Sequence, residues 1–258
     1  MLAPKQKSLE ILTQLGVFGR KTASEFMLHR WKLHAKSLAS DDPIESNRLL
    51  AIIAVYENDY KNAENYFKKA LVLSNYKNDL VLSDYAQSMM MQGKGIDAIN
   101  IFTKAFFLNP SFLILDRILS ISVSTLYSDV LPELKNVINK LDKNYEYTEW
   151  IEKYENKISN NREILDSLEI SIKTYRSVIS LNDSILFKKF YTQTQLAYYQ
   201  IDNMLNVIVY PEGLSVDDIS ELNDDFVENV VELDNPYDEL MRLSVYFSFQ
   251  APIKEEVA

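Results

Sequence analysis

The chain contains no cysteine. That excludes a disulfide framework, a thiol nucleophile and a cysteine metal site, and it suits a reducing cytoplasm, the expected location. Glycine and proline are scarce, five and seven in 258 residues, too few for a loop-rich or all-β chain and in keeping with long helices. The only histidines, His29 and His34, stand five positions apart. That misses the four-residue interval that puts two metal ligands on one helical face, so both read as polar helix residues. No segment approaches the roughly 18 uninterrupted apolar residues of a membrane span, and no apolar signal core follows the polar, basic stretch from Met1 to Lys7.

The signatures of chemistry are missing as well. Leu15-Gly16-Val17-Phe18-Gly19-Arg20 lacks the lysine and hydroxyl of a phosphate-binding loop, and no serine sits in a nucleophile-elbow pattern. The expectation is therefore a protein that is not an enzyme, with no catalytic residue, no metal and no cofactor. Charge of one sign is missing from a long stretch: from Phe190 to Met241 there is no lysine or arginine, against twelve acids. From Met1 to Ser40 the balance reverses, with seven basic residues and only Glu10 and Glu25 opposing them. The formal net charge is −10 and hydrophobic residues make up 47 %, enough to bury a sizeable core in one large or two small domains.

What is present is a repeat. Ala51, Ala63, Phe67 and Ala70 recur 35 positions later as Ala86, Ala98, Phe102 and Ala105. A period of this size marks stacked supersecondary units. Two antiparallel helices per unit explain the residue types. Small residues sit where axes cross closely, at about 8–10 Å, and the phenylalanines fill the space they leave. Asn58-Asp59 and Gly93-Lys94-Gly95 are the turns within the units, and Asn109-Pro110 ends the second.

Over residues 46–127 the pattern resembles the tetratricopeptide repeat. The second copy carries most of that consensus. In the first, Asn58 replaces the turn glycine, Ala54 the inner aromatic, and Asn75 stands where proline is usual. The resemblance implies an all-α solenoid of helical hairpins that binds another protein, an amphipathic helix or an extended segment, on the concave face of the first helix of each pair. That face would carry Arg48, Ile52, Val55 and Tyr56, then Ser83, Gln87, Met90 and Met91. Ile52 departs from the asparagine-and-lysine pattern by which some members of the family hold a carboxylate, so capture of a chaperone C-terminus is not expected. The alternative for these side chains is contact with a neighbouring helix of the same chain.

Around the repeats the sequence predicts a helical hairpin or cap over residues 1–45, with helices from Gln6 to Leu15 and from a Thr22 cap to about Ala39. The repeat region runs over 46–158 and includes an eroded third unit, in which Leu134 stands near the place of an alanine. Ser159-Asn160-Asn161 is the expected boundary. A C-terminal region, 159–258, follows with helices over about 162–180 and 184–205. Asn206–Tyr210 and Leu243–Phe249 read as two short strands that pair, and Ser215 caps an acidic helix between them.

Two further functional readings compete with the scaffold. The acidic residues Asp217, Asp218, Glu221, Asp224, Asp225 and Glu228 could imitate nucleic-acid phosphate and block a nucleic-acid-binding protein, provided they form rows rather than scatter. An enzyme or a nucleic-acid binder is the third. The basic N-terminal residues are too few, and not interleaved with stacking aromatics, for nucleic acid to be the expected partner. Oligomeric state is not legible in the sequence.

Overall fold

A computed structural model describes residues 4–15, 19–141 and 144–249. The chain is mainly helical, with twelve helices among the described residues and a small three-stranded sheet near the C-terminus. It divides into two compact units, residues 1–118 and 119–258. The division falls within helix α7 (Phe112–Thr125), not at 159–161. Ser159, Asn160 and Asn161 lie inside the uninterrupted helix α9 (Asn144–Ser167). They read as a break because they are polar, and they are polar because that side of the helix is largely exposed.

The first unit holds α1 (Pro4–Leu15), a two-residue extended stretch β1 (Gly19–Arg20), α2 (Glu25–Ser37), and two hairpins: α3 (Pro43–Tyr56) with α4 (Tyr60–Leu73), and α5 (Asp79–Met90) with α6 (Gly95–Leu108). Residues 16–18 lie outside the described residues. The cap of α2 is Ser24, whose hydroxyl accepts from the Met27 amide, rather than Thr22. The hairpins are equivalent. Ala63 and Ala98 are each the fourth residue of their helix, and Ala51, Ala63, Ala70, Ala86, Ala98 and Ala105 are all fully buried, as the close crossings demand. Phe67 is fully buried and stacks on Tyr85 at 5.3 Å between ring centroids, joining α4 to α5.

The turns of the two hairpins share one geometry. Asn58 has φ 62° and Gly93, 35 positions on, has φ 71°. Each follows a helix that closes with the same pair of bonds: Asp59 N–H to Ala54 C=O and Asn58 N–H to Val55 C=O in one, Lys94 to Met89 and Gly93 to Met90 in the other. This is the Schellman cap, which needs a left-handed residue after the helix; asparagine tolerates that region better than other side chains. Asn75 (φ 50°) and Tyr76 (φ 58°) do the same after α4, with Tyr76 N–H on Leu71 C=O. A proline cannot take positive φ, which accounts for its absence there. We expect Asn58→Val to cost about 1–2 kcal/mol more than Asn58→Gly, since both lose the side-chain acceptor and only valine strains the turn, read by urea unfolding.

The second unit contains α8 (Leu131–Ile138), α9, α10 (Ile172–Lys189), a two-residue stretch β2 (Phe190–Tyr191), the strands β3 (Thr194–Ile201), β4 (Met204–Pro211) and β5 (Leu243–Phe247), α11 (Val216–Val230) and α12 (Tyr237–Met241). The eroded third hairpin is not reproduced as a close pair: α8 packs against α9, and Leu134, fully buried, is too large for a close crossing. The helix expected over 162–180 is broken at Glu169, which has φ 54° and ends α9 with the same Schellman bonds.

The helix expected over 184–205 is a further correction. After Lys189 the chain forms β3, which turns through Asp202-Asn203 into β4 with Ile201 opposite Met204. Asp202 supplies the left-handed residue (φ 55°) that hairpins of this length require. β4 and β5 do pair, in parallel, with Val207 opposite Val245. Leu205, Val207, Val209, Leu243, Val245 and Phe247 are buried on one face, and both α10 and α11 pack against β5. Ser215 caps α11 as expected, in a reciprocal capping box with Asp218. Residues 250–258 lie outside the described residues.

Candidate functional site

The expected groove is largely occupied by the chain itself. Arg48 forms ion pairs with Glu45 on its own helix and Asp84 on α5. Burial outweighs the attraction of Arg48 at Asp84 and holds its carboxyl above the usual carboxylate range. Arg48 therefore ties the two hairpins together rather than offering a rim charge. Val55 and Met91 are buried. Ile52 and Tyr56 pack against a cluster of Ile11, Leu15, Trp31, Ala35 and Leu38 from α1 and α2. The Tyr56 hydroxyl also accepts the Ala23 N–H at 3.0 Å. Lys21 donates to the Asn58 side chain at 2.8 Å beside the Tyr56 ring, and burial lowers its pKa to about 8. The N-terminal pair thus covers the face of α3, as a cap of the stack must when that face is apolar. Ser83, Gln87 and Met90 remain half-buried on α5.

An apolar surface that periodicity did not single out lies at the opposite end of the hairpins, on the turns between them. Leu73 ends α4 and is 49 % exposed; its counterpart Leu108, 35 positions on, ends α6 and is 45 % exposed. Tyr76 and Leu80 continue the first turn and Phe112 the second, each more than half exposed. The Asn109 side-chain amide donates to the Asp79 carboxylate at 2.8 Å, which sets Leu80 beside the end of α6. A shallow cleft of about 390 Å³ opens next to this ridge, lined by Asn47, Lys68, Lys69, Val72 and Leu73. Lys69 adds positive charge to the cleft, and Lys68 is shared with Glu64. The signal for this surface was the recurrence of Leu73 as Leu108, hidden because leucines at helix ends read as core.

The acidic residues of α11 are divided in their roles. Asp218 belongs to the capping box. Glu221 and Asp225 both ion-pair with Lys189 at the end of α10. Asp217, Asp224 and Glu228 are exposed. A lysine therefore sits within the row. Among the described residues no group of three or more histidine, aspartate or glutamate side chains could hold a metal ion, and no helix is long and apolar enough to cross a membrane.

No protein-family model matches the chain, and neither a curated protein nor a solved structure matches it.

Proposed function

We propose that this protein is a non-catalytic scaffold, an adaptor or chaperone, that holds a segment of another protein on its stacked hairpins. The tetratricopeptide-like pattern motivates the class. The binding face we assign is the apolar ridge between the hairpins, not the groove of Arg48, Ile52, Val55 and Tyr56. One observation carries this choice. Tyr76 is a bulky aromatic held at φ 58° in the turn that closes α4, with 62 % of its surface exposed, a conformation that costs on the order of 1–3 kcal/mol. Exposed apolar clusters of this kind mark interaction sites, and tyrosine is enriched among the residues that dominate interface energies. The lysine rim favours an amphipathic partner segment with apolar anchors and flanking acids. The acidic-decoy reading is weaker, because Lys189 neutralises the middle of the carboxylate row.

The test uses two variants of the full chain. Tyr76→Ser with Leu80→Ser and Phe112→Ser should abolish binding of a partner identified by co-purification, with the helical circular dichroism unchanged. Gln87→Ala with Met90→Ala should leave it intact. The reverse result would return the site to the groove.

A further inference from the structure

The two edges of the three-stranded sheet are treated differently. On β5 the side chain of Asn223, from α11, donates to the Phe247 carbonyl at 3.0 Å and accepts the Phe247 N–H at 2.8 Å. One amide thus takes the place of a neighbouring strand at Phe247. On β3 nothing equivalent occurs among the described residues. The hairpin register and the bond from Glu212 N–H to Gln193 C=O place the odd-numbered residues of β3 in hydrogen bonds with β4. The backbone groups of Thr194, Leu196, Tyr198 and Gln200 therefore point out of the sheet. From Gln193 to Ile201 the strand has no charge and no proline, the devices that normally protect an edge. Tyr198 anchors the strand, its hydroxyl 3.2 Å from that of Tyr175 on α10.

We infer that β3 is an acceptor edge for an extended segment of a partner protein, apolar in its middle and basic at its ends. Main-chain hydrogen bonds to Leu196, Tyr198 and Gln200 would supply the attachment, as in other strand additions. The basic ends follow from charge. Asp202 stands at one end of the strand and Glu212 opposite the other, and no lysine or arginine occurs from 190 to 241. Residues 119–258 carry 12 basic and 25 acidic side chains, a formal balance of −13, whereas residues 1–118 carry 15 and 12, a balance of +3. A second copy of β3 would bring two strongly negative units together, which like-charge repulsion opposes. This surface is separate from the ridge of the first unit and stands or falls without it.

The probe is the acetylated, amidated peptide KKVTVTVKK, titrated against the full chain by fluorescence anisotropy. It should bind, with affinity falling as salt rises, while EEVTVTVEE and the proline-broken KKVTPTVKK bind about tenfold more weakly or not at all. Gln200→Pro removes an outward N–H without touching the β3–β4 ladder, a place where an edge strand tolerates proline; it should abolish binding. Thr194→Lys, which keeps every backbone donor, should weaken it by about tenfold through repulsion. Hydrogen exchange should show slowed amides at Leu196, Tyr198 and Gln200 when the basic peptide is bound. Equal binding of the acidic and basic peptides, binding retained in a folded Gln200→Pro, protection elsewhere in the chain, or concentration-dependent dimerisation through β3 would each overturn the assignment.

Discussion

Phe67→Ala is expected to lower the unfolding free energy by about 3–5 kcal/mol, roughly 10–20 °C in the melting temperature of a unit this size. The ring is fully buried on α4, whose Ala63 and Ala70 are fully buried as well, and stacks on Tyr85 of the next hairpin. Close crossings at the alanines prevent the helices from collapsing into the void, so most of the lost volume remains as a cavity. Phe102, the equivalent residue 35 positions on and 3 % exposed, should behave alike. Ala98→Leu should cost about 1–3 kcal/mol by overpacking the same kind of crossing. Differential scanning calorimetry reads all three. A Phe67→Ala melting temperature within a degree or two of the parent would mean that the ring does not bridge the hairpins.

The second large effect depends on pH. Asp183, on α10, lies near the buried hydroxyls of Tyr175 and Tyr198 and accepts a hydrogen bond from Asn182; burial raises its pKa from the ordinary 3.8 to about 7. The folded protein then keeps a proton between pH 4 and 7 that the unfolded chain releases. The stabilising contribution is complete below about pH 4 and is lost as pH rises through about 7. The full difference corresponds to about 4 kcal/mol, reduced to roughly 2–4 kcal/mol by the partial solvent access of the group. Asp183→Asn, which imitates the protonated acid, should stabilise the protein by that amount above pH 7 and hardly at all near pH 4. Urea unfolding of both proteins across this range gives the difference. A difference that does not vary with pH would show that Asp183 is ionised in the fold throughout.

The hairpin stack was legible because alanine at a close crossing and phenylalanine beside it are demanded by the geometry itself, and a 35-position offset repeats the demand. Caps were less legible. Asn58, Asn75, Leu126 and Glu169 all take positive φ after a helix, and only the first two are residue types that advertise it. Leu126 is fully buried; its carbonyl accepts from Arg162 and Arg176, and the preceding carbonyls of Thr125 and Ser124 accept from Arg176 and Tyr175. Those distant donors hold the residue in place, and no local pattern encodes them. The β3–β4 hairpin was missed because Phe190, Tyr191, Leu196 and Tyr198 fit a helical stripe as well as a strand, and Asp202-Asn203 lacks the glycine that usually signals such a turn. The use of Arg48, Ile52 and Tyr56 by Asp84, α1 and α2 depends on tertiary contacts that no local pattern encodes. The ridge needed burial to be seen at all.

The central claim is that the apolar ridge, not the groove, holds the partner. Site-specific photo-crosslinking tests it most directly. With benzoylphenylalanine replacing Tyr76 in one full-length variant, Leu108 in a second and Gln87 in a third, irradiation in the native host followed by mass spectrometry should trap one and the same protein at 76 and 108 and nothing at 87. A partner trapped at 87 and absent from 76 and 108 would contradict the account.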